Sequence, residues 1–509
     1  MHWDLHRKNS VLALIIGAMG LILLGQWIYN IAHRIPFPFP IEYIEDAIFF
    51  QALRIFKGLP IYTDPNDGYA AIIYTPGYFY ILAGLFKIFG PSITIARLIS
   101  LVCTLGVMAM LLKVSLERLR FPLAIVPLCV YLSLPYAHFA GYQDLGRVDT
   151  PMVFMIFAGL YLMRDNKACA GRVFAGVILL TLAYYVKQPA LGYLYFVYIF
   201  LYIRFRRVGF FAILLSFAIL AGVFFITNSL THGWFAFYTW ELPMNHIFDW
   251  SVVWAVFTGG EVHATYVRSL VYLGAATIIF IIFRVFTLKR EQVNIFEATL
   301  PGALITTIGP FLKEGGYFQD FIPLYTHLCF MLPYALSLAI PRRDANAVKI
   351  PTKRSNLIIS AILFLLMIHC VYAITPIDDF RPKKDNVQLG WDFVNKVKEI
   401  DGEVLMPALG YYGWLAGKEQ GYLGVSLVDL LSLNIYPTPL VRDLKSGRYS
   451  AICLPYYFEA EKYITTIKYN PIPTYLIINP THNYKLCRTI ELPPYKVYWK
   501  EDGKGMPNK

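Results

Sequence analysis

The sequence predicts an α-helical polytopic membrane protein with about eleven spans, interfacial helices in its first external loop and a C-terminal external α/β domain. Three observations carry this. The 509 residues are 57% hydrophobic and only 15% charged, and mean hydropathy is +0.51, far from the values of a soluble domain. Apolar runs recur from residue 11 to residue 374. The basic residues between those runs fall on one side.

The first run, residues 11–32, follows "LHRKN" and has no small-residue cleavage site, so it reads as a retained span and not a signal peptide. Others follow at 92–112, 121–140, 150–163, 173–186, 189–203, 208–227, 266–283, 295–312, 321–340 and 356–374. The segment 72–89, "IIYTPGYFYILAGLFKIF", is apolar too, but it holds Pro76, Gly77 and Lys87. Only about a dozen residues follow the proline, too few to cross ~30 Å. With that segment at the surface, the connectors 113–120, 164–172, 204–207 ("RFRR"), 284–291 and 342–354 share a side with the N-terminus. That side carries about 19 Lys/Arg against about 5 acids, and the opposite loops about 7 against about 12. The N-terminus is therefore expected inside. Residues 1–375 form the membrane domain, 34–91 its large first external loop, and 376–509 an external domain.

The tail is different material. "GEVLMPAL", "YSAICLPYYF" and "TYLIINP" read as short buried strands among helical and Tyr/Pro-rich segments, in a length able to hold its own core. None of the seven cysteines is in a CxxC spacing, so neither a metal site nor a redox motif is expected. Cys453 and Cys487 lie in the tail and could pair in an oxidising compartment. The net charge of +12 needs no nucleic acid to explain it, because basic cytoplasmic loops suffice.

Most of the chemically capable groups fall in the external loops. "IEYIEDAIFFQALRIFKGLPIY", residues 41–62, places Glu42, Glu45 and Asp46 at the mouth of an amphipathic run that also holds Arg54 and Lys57. Further along come Tyr74, Arg97, then Arg147 and Asp149 in "GYQDLGRVD", Lys187 and Gln188 in "VKQ", His246 in "HGWFAFYTWELPMNH", and "KEGGYFQD" at 313–320. Each has a plain reading. Acids at a helix start favour its N-terminus by a few tenths of a kcal/mol. Arg147 and Asp149 could be a surface charge and a cap, Lys187 a snorkelling anchor, and Trp234 and Trp240 an interfacial belt. His232, His246 and His263 match no compact metal spacing. Together, a carboxylate cluster and scattered cations at one bilayer face suit a substrate with an acceptor proton and an anionic phosphate.

The order of these segments adds a further signal. An acidic pair is followed by "YTPGYFYILAGLFKIFGPSITIARLIS", "DLGRVDT", "YYVKQPALGYL" and "HGWFAFY". This series resembles the C-type superfamily of membrane glycosyltransferases, the group of aminoarabinose transferases and protein O-mannosyltransferases, over about residues 10–340. The resemblance implies an inverting transferase of the inner (plasma) membrane, active on its extracytoplasmic face. Its partners would be a polyprenyl-phosphate-sugar donor, a glycan or lipid acceptor and membrane lipids, with no nucleic acid. The resemblance implies no cofactor, in an enzyme that is either independent of metal or weakly dependent on a divalent cation. The family sets its catalytic acid, often in an Asp-Glu pair, 13–14 residues before a glycine. Here Glu45 stands 13 before Gly58, Ile44 takes the aspartate's place, and Asp46 is displaced by one. The catalytic base is thus expected at Glu45 or Asp46, with Glu45 favoured. Arg97, Arg147, Asp149, Lys187, Gln188, Arg54, Tyr74 and His246 form the expected substrate-binding set. The alternative is a transporter or flippase of lipid-linked saccharides, which would show internal repeats and mid-span charges. Neither is evident in the sequence.

Overall fold

Helix α1, His2–Arg34, begins the bundle in a computed structural model that describes residues 2–133, 142–165, 167–248, 250, 271–282, 284, 293–313, 316, 318–337, 353–374, 382, 384–407, 409–455, 484–492 and 495–500. After it come α2 (Tyr43–Phe56), α3 (Gly77–Phe89), α4 (Ile93–Arg118), α5 (Val126–Ser133), α6 (Asp149–Met163), α7 (Ala170–Val186) and α8 (Leu191–Leu230). The bundle continues through Val271–Ile282, Ile295–Phe311, Ile322–Ser337 and Lys353–Ala373. Among the described residues, four helical stretches are long and apolar enough to cross a membrane: Lys8–Arg34, Ile93–Arg118, Gln188–Leu230 and Asn356–Ala373.

The third of these is two helices. Arg206, inside the basic "RFRR", has φ 42° and ψ −107° and breaks the helical path. The Tyr198 hydroxyl lies 2.5 Å from Ser216 Oγ, and the Tyr198 ring lies 5.3 Å from that of Phe217. In a straight helix residues 18 apart would be about 27 Å apart. Helix α8 is therefore a hairpin that reverses at the basic cluster.

Helix α3 is 13 residues long, about 20 Å, and falls short of a crossing. It packs on α2 instead, and its first turn touches the end of α7. A Cβ at Gly77 would sit 2.7 Å from the Tyr185 carbonyl oxygen, so only glycine allows that approach. The Thr75 hydroxyl donates to the Tyr184 carbonyl at 2.9 Å beside it. These two contacts carry Tyr74 to the C-terminal end of α7.

The tail folds into helices Lys384–Lys398, Gly410–Leu415, Gly424–Ser432 and Thr438–Lys445 beside a four-stranded sheet. Strand order is β1-β2-β4-β3, with β1 (Val404–Leu405) parallel to β2 (Ala451–Pro455). The last two strands, β3 (Tyr484–Leu492) and β4 (Tyr495–Lys500), run antiparallel to each other, and β4 runs antiparallel to β2. β1 and β2 fall where the sequence predicts strands, whereas "TYLIINP" lies outside the described residues. β3 and β4 were not expected. Cys453 is a free, buried thiol. It sits on β2 and Cys487 on β3, with β4 between them, so two strand spacings of about 4.8 Å each exceed disulfide reach. The domain's core of Phe393, Val394, Val397, Val404, Met406 and Ala451 also takes in Phe37 and Phe39 from the first loop.

Candidate active site

The first turn of α2 concentrates three acids and gives each a different partner. Glu42 is the N-cap: its backbone is extended, and its Oε2 accepts the Ile44 N–H at 3.1 Å. Glu45 and Asp46 follow three and four residues on, within the same first turn. Successive residues on a helix point about 100° apart, so these two acids face different neighbours.

Glu45 faces the membrane helices. Its Oε1 accepts from Arg97 Nε at 2.9 Å and from the Gly146 N–H at 2.8 Å. Its Oε2 accepts from Arg97 Nη2 at 2.8 Å and from the Ile41 N–H at 2.8 Å. Burial alone would raise its pKa, but the Arg97 guanidinium and the two backbone donors hold it below the usual carboxylate range. A Cβ at Gly146 would meet the Ala96 Cβ at 2.7 Å, so this position admits the backbone only as glycine. Arg97 is fully buried and spends its remaining N–H groups on the carbonyls of Arg34, Phe37 and Phe39. All five of its donors are in use. Neither Glu45 nor Arg97, expected as base and phosphate ligand, has a polar position left for a substrate.

Asp46 faces the tail domain. Its Oδ2 accepts the Gly410 N–H at 2.9 Å and its Oδ1 the Tyr411 N–H at 2.6 Å. Burial pushes its pKa up to about 7, although both N–H groups favour the ionised form.

Glu42 differs from both. Its Oε2 also accepts from Arg147 Nη1 at 2.7 Å, but its Oε1 has no hydrogen-bond partner among the described residues. The side chain is 16% exposed, against none for Glu45. Burial raises its pKa, and Arg147 opposes that. In the sequence Glu42 is one of three clustered acids, with nothing to give it a role of its own. Its place at the N-cap, not within the helix, is the signal that sets it apart.

From Glu42 a chain of alternating charges runs across four elements. Arg147 Nε donates to Asp149 Oδ2 at 3.0 Å, at the first residue of α6. Lys187, the residue after α7, donates to Asp149 Oδ1 at 2.7 Å and to Asp320 Oδ1 at 2.9 Å. The Tyr74 ring stands 5.6 Å from Lys187 Nζ, and its hydroxyl has no hydrogen-bond partner among the described residues. Burial pushes the Tyr74 phenol up to about 12, with Lys187 and Arg147 opposing. Arg147 likewise keeps Nη2 without a partner among the described residues. Polar positions thus stay open along this chain, among them Glu42 Oε1, Arg147 Nη2 and the Tyr74 hydroxyl.

The structure brings together Tyr74, Arg147, Asp149 and Lys187 of the expected set and adds Glu42 and Asp320. The other members do different work. Gln188 Nε2 donates to the carbonyls of Ile73 at 2.5 Å and Thr239 at 3.1 Å, the latter within a π-helical turn, Phe237–Glu241. Arg54 stacks on the Tyr69 ring at 3.7 Å and donates to the Pro60 carbonyl. His246 Nε2 lies 3.3 Å from Asp429 Oδ1 of the tail domain. His263 lies outside the described residues. Among the described residues no three His, Cys, Asp or Glu side chains converge as a metal-binding group.

The architecture defines the class by fold: a helical bundle with four described helices long and apolar enough to cross a membrane, beside a tail domain. It is similar to the crystal structures of ArnT from Cupriavidus metallidurans, bound to undecaprenyl phosphate and in the apo state. TM-score is 0.56 for both, with 11% identity over 95% of this chain and 97% of that one. The archaeal oligosaccharyltransferase AglB from Archaeoglobus fulgidus, in complex with an inhibitory peptide and a dolichol-phosphate, matches at TM-score 0.47 and 11% identity, over 92% of this chain and 72% of its own. No family model and no curated protein sequence matches the chain.

Proposed function

We propose that this protein is a glycosyltransferase of the inner (plasma) membrane, moving a sugar from a polyprenyl-phosphate donor to a glycan or lipid acceptor on the extracytoplasmic side. The observation that carries this reading is the buried charge chain from Glu42 to Asp320, with open polar positions at Glu42 Oε1, Arg147 Nη2 and the Tyr74 hydroxyl. The fold shared with ArnT, whose structure was solved with undecaprenyl phosphate, supports the donor class.

The acceptor hydroxyl attacks the anomeric carbon, its proton passes to Glu42 Oε1, and the bond from that carbon to the phosphate oxygen breaks. Polyprenyl phosphate leaves with the electron pair, and the anomeric configuration inverts. Such a leaving group needs cations and donors and not a second carboxylic acid. Arg147 Nη2 offers a hydrogen bond to a phosphate oxygen, the Tyr74 hydroxyl a second, and Lys187 a nearby positive charge. Glu42 takes the role of base because, of the three acids, it alone keeps an open carboxylate oxygen, and its raised pKa suits proton transfer nearer neutrality. A divalent cation is not required by this scheme, and none of its steps uses one.

The expected topology of about eleven crossings, with the N-terminus inside and the tail domain outside, sets the chain at the outer membrane face, where a lipid would present the sugar. Incubating the purified protein with a panel of radiolabelled polyprenyl-phosphate sugars and envelope glycans or lipids tests the reading. Label transfer with release of polyprenyl phosphate is expected. A protein that binds these lipids and moves them between leaflets of a vesicle, with no transfer, would be a flippase instead.

A further inference from the structure

We infer that Asp46 is a positioning residue, through which the tail domain sets the first turn of α2 against the substrates. This rests on the transferase reading above for its kinetic consequence, but not for its structural one.

The two anchors of α2 are consecutive residues. Glu45 ties the helix to α4 through Arg97, and Asp46 ties it to the backbone at the start of Gly410–Leu415. Glu42 is three residues before one and four before the other, on the same turn. Any rotation of α2 that freed either anchor would swing Glu42 away from Arg147. Glycine at 410 is part of the arrangement: a Cβ there would stand 2.8 Å from the Phe50 ring and 3.2 Å from Asp46 Oδ2. Around this contact Phe49 packs against Tyr411 and Trp414, and Phe39 stacks on Tyr412 with the rings 4.8 Å apart and 5° from parallel. Aromatic packing alone could hold two domains together. Burying a carboxylate with no cation beside it is costly, and it adds direction, since two N–H groups fix the carboxylate plane.

A second inter-domain bond provides the control. The Tyr422 hydroxyl donates to the Pro65 carbonyl at 2.8 Å, in the first loop but beyond α2. Removing it loosens the same interface without touching the first turn.

The experiment compares wild type, Asp46→Asn, Gly410→Ala and Tyr422→Phe in full-length protein. Hydrogen exchange is read at the Ile44 amide region and at residues 409–412. Donor kinetics are measured in parallel. Asn puts an N–H₂ where an acceptor oxygen is needed; unlike the hydroxyl oxygen of a protonated Asp46 it cannot accept, so one backbone N–H loses its partner. Asp46→Asn should speed exchange at both sites and lower kcat at least about tenfold, leaving donor KM near wild type. Gly410→Ala, which leaves every α2 side chain intact, should give the same pattern more weakly and serves if Asp46→Asn does not fold. Tyr422→Phe should leave the Ile44 region and kcat unchanged. Unaltered exchange at Ile44 in Asp46→Asn would overturn the positioning role. So would equal losses of kcat in Asp46→Asn and Tyr422→Phe. If wild type transfers no sugar at all, the transferase reading falls, while the exchange data still decide whether Asp46 sets α2.

Discussion

Glu45 and Arg97 form a closed pair in which both carboxylate oxygens and every guanidinium N–H are already bonded. The pair ties α2 to α4, and its other partners are the last residue of α1, Phe37, Phe39 and Ile41 in the loop after it, and Gly146 before α6. Removing one member strands the other in a buried site, a change that typically costs about 3–5 kcal/mol. Glu45→Gln and Arg97→Lys should therefore both lower the thermal unfolding midpoint of detergent-purified protein by several degrees. Lysine cannot replace a five-donor fork. A Glu45→Gln protein with wild-type unfolding and no turnover would instead mark Glu45 as the base.

Lys187 is held between Asp149 and Asp320. Lys187→Met would leave those two acids without their shared cation, lowering stability as well as transfer. Adding Asp320→Asn removes one of the two negative charges around the lost ammonium and should recover part of the stability. The check is a double-mutant cycle on unfolding and on turnover. A surface anchor would tolerate methionine with neither effect.

Arg147→Lys should cost at least about tenfold in kcat/KM, because one ammonium cannot bond Glu42, Asp149 and a phosphate in the fixed directions of a guanidinium. Donor titration of both proteins measures it. Equal constants would leave Arg147 as a structural link only.

The pH dependence of docking follows from Asp46. Its ordinary value is 3.8 and its docked value about 7, so the docked form holds the proton more tightly than the free one. Docking is then strongest below the ordinary value and weakens as pH rises through about 7. Glu45 pushes in the same direction, and the Gly410 and Tyr411 N–H groups oppose it. At the far side of the interface burial also raises Asp429, against the pull of His246, so it adds to the trend. Protection of the amides at 409–412, corrected for intrinsic exchange rates, should be greater at pH 6 than at pH 8. The reverse order would remove Asp46 as the controlling group.

Much of this was legible in the sequence, because a bilayer sorts charge. The basic connectors placed Arg147, Asp149 and Lys187 in loops of one side, and the structure joins all three. The helix-breaking start and short length of α3 were readable from Pro76 and Gly77. What was not legible is which acid meets which partner. The donors to Asp46 lie more than 360 residues away, and a one-residue step along α2 exchanges a membrane partner for one in the tail domain. Arg97 and Glu45 look like substrate ligands until their bonding is counted. The β3–β4 pair escaped notice because "YKLCRTIEL" and "YKVYWK" are studded with charge and follow Tyr/Pro-rich sequence, whereas strand pairing is settled by partners elsewhere.

In the proposed mechanism Glu42, and not its two neighbours, takes the acceptor's proton. The most direct measurement is single-turnover transfer by Glu42→Gln beside wild type, with donor affinity determined separately by equilibrium binding. Glutamine keeps an oxygen for the Ile44 N–H and Arg147 but cannot accept the proton at neutral pH. The account predicts a rate lower by about 10²–10⁴ with donor affinity within a few-fold of wild type. A Glu42→Gln enzyme that transfers sugar at near wild-type rate would contradict it.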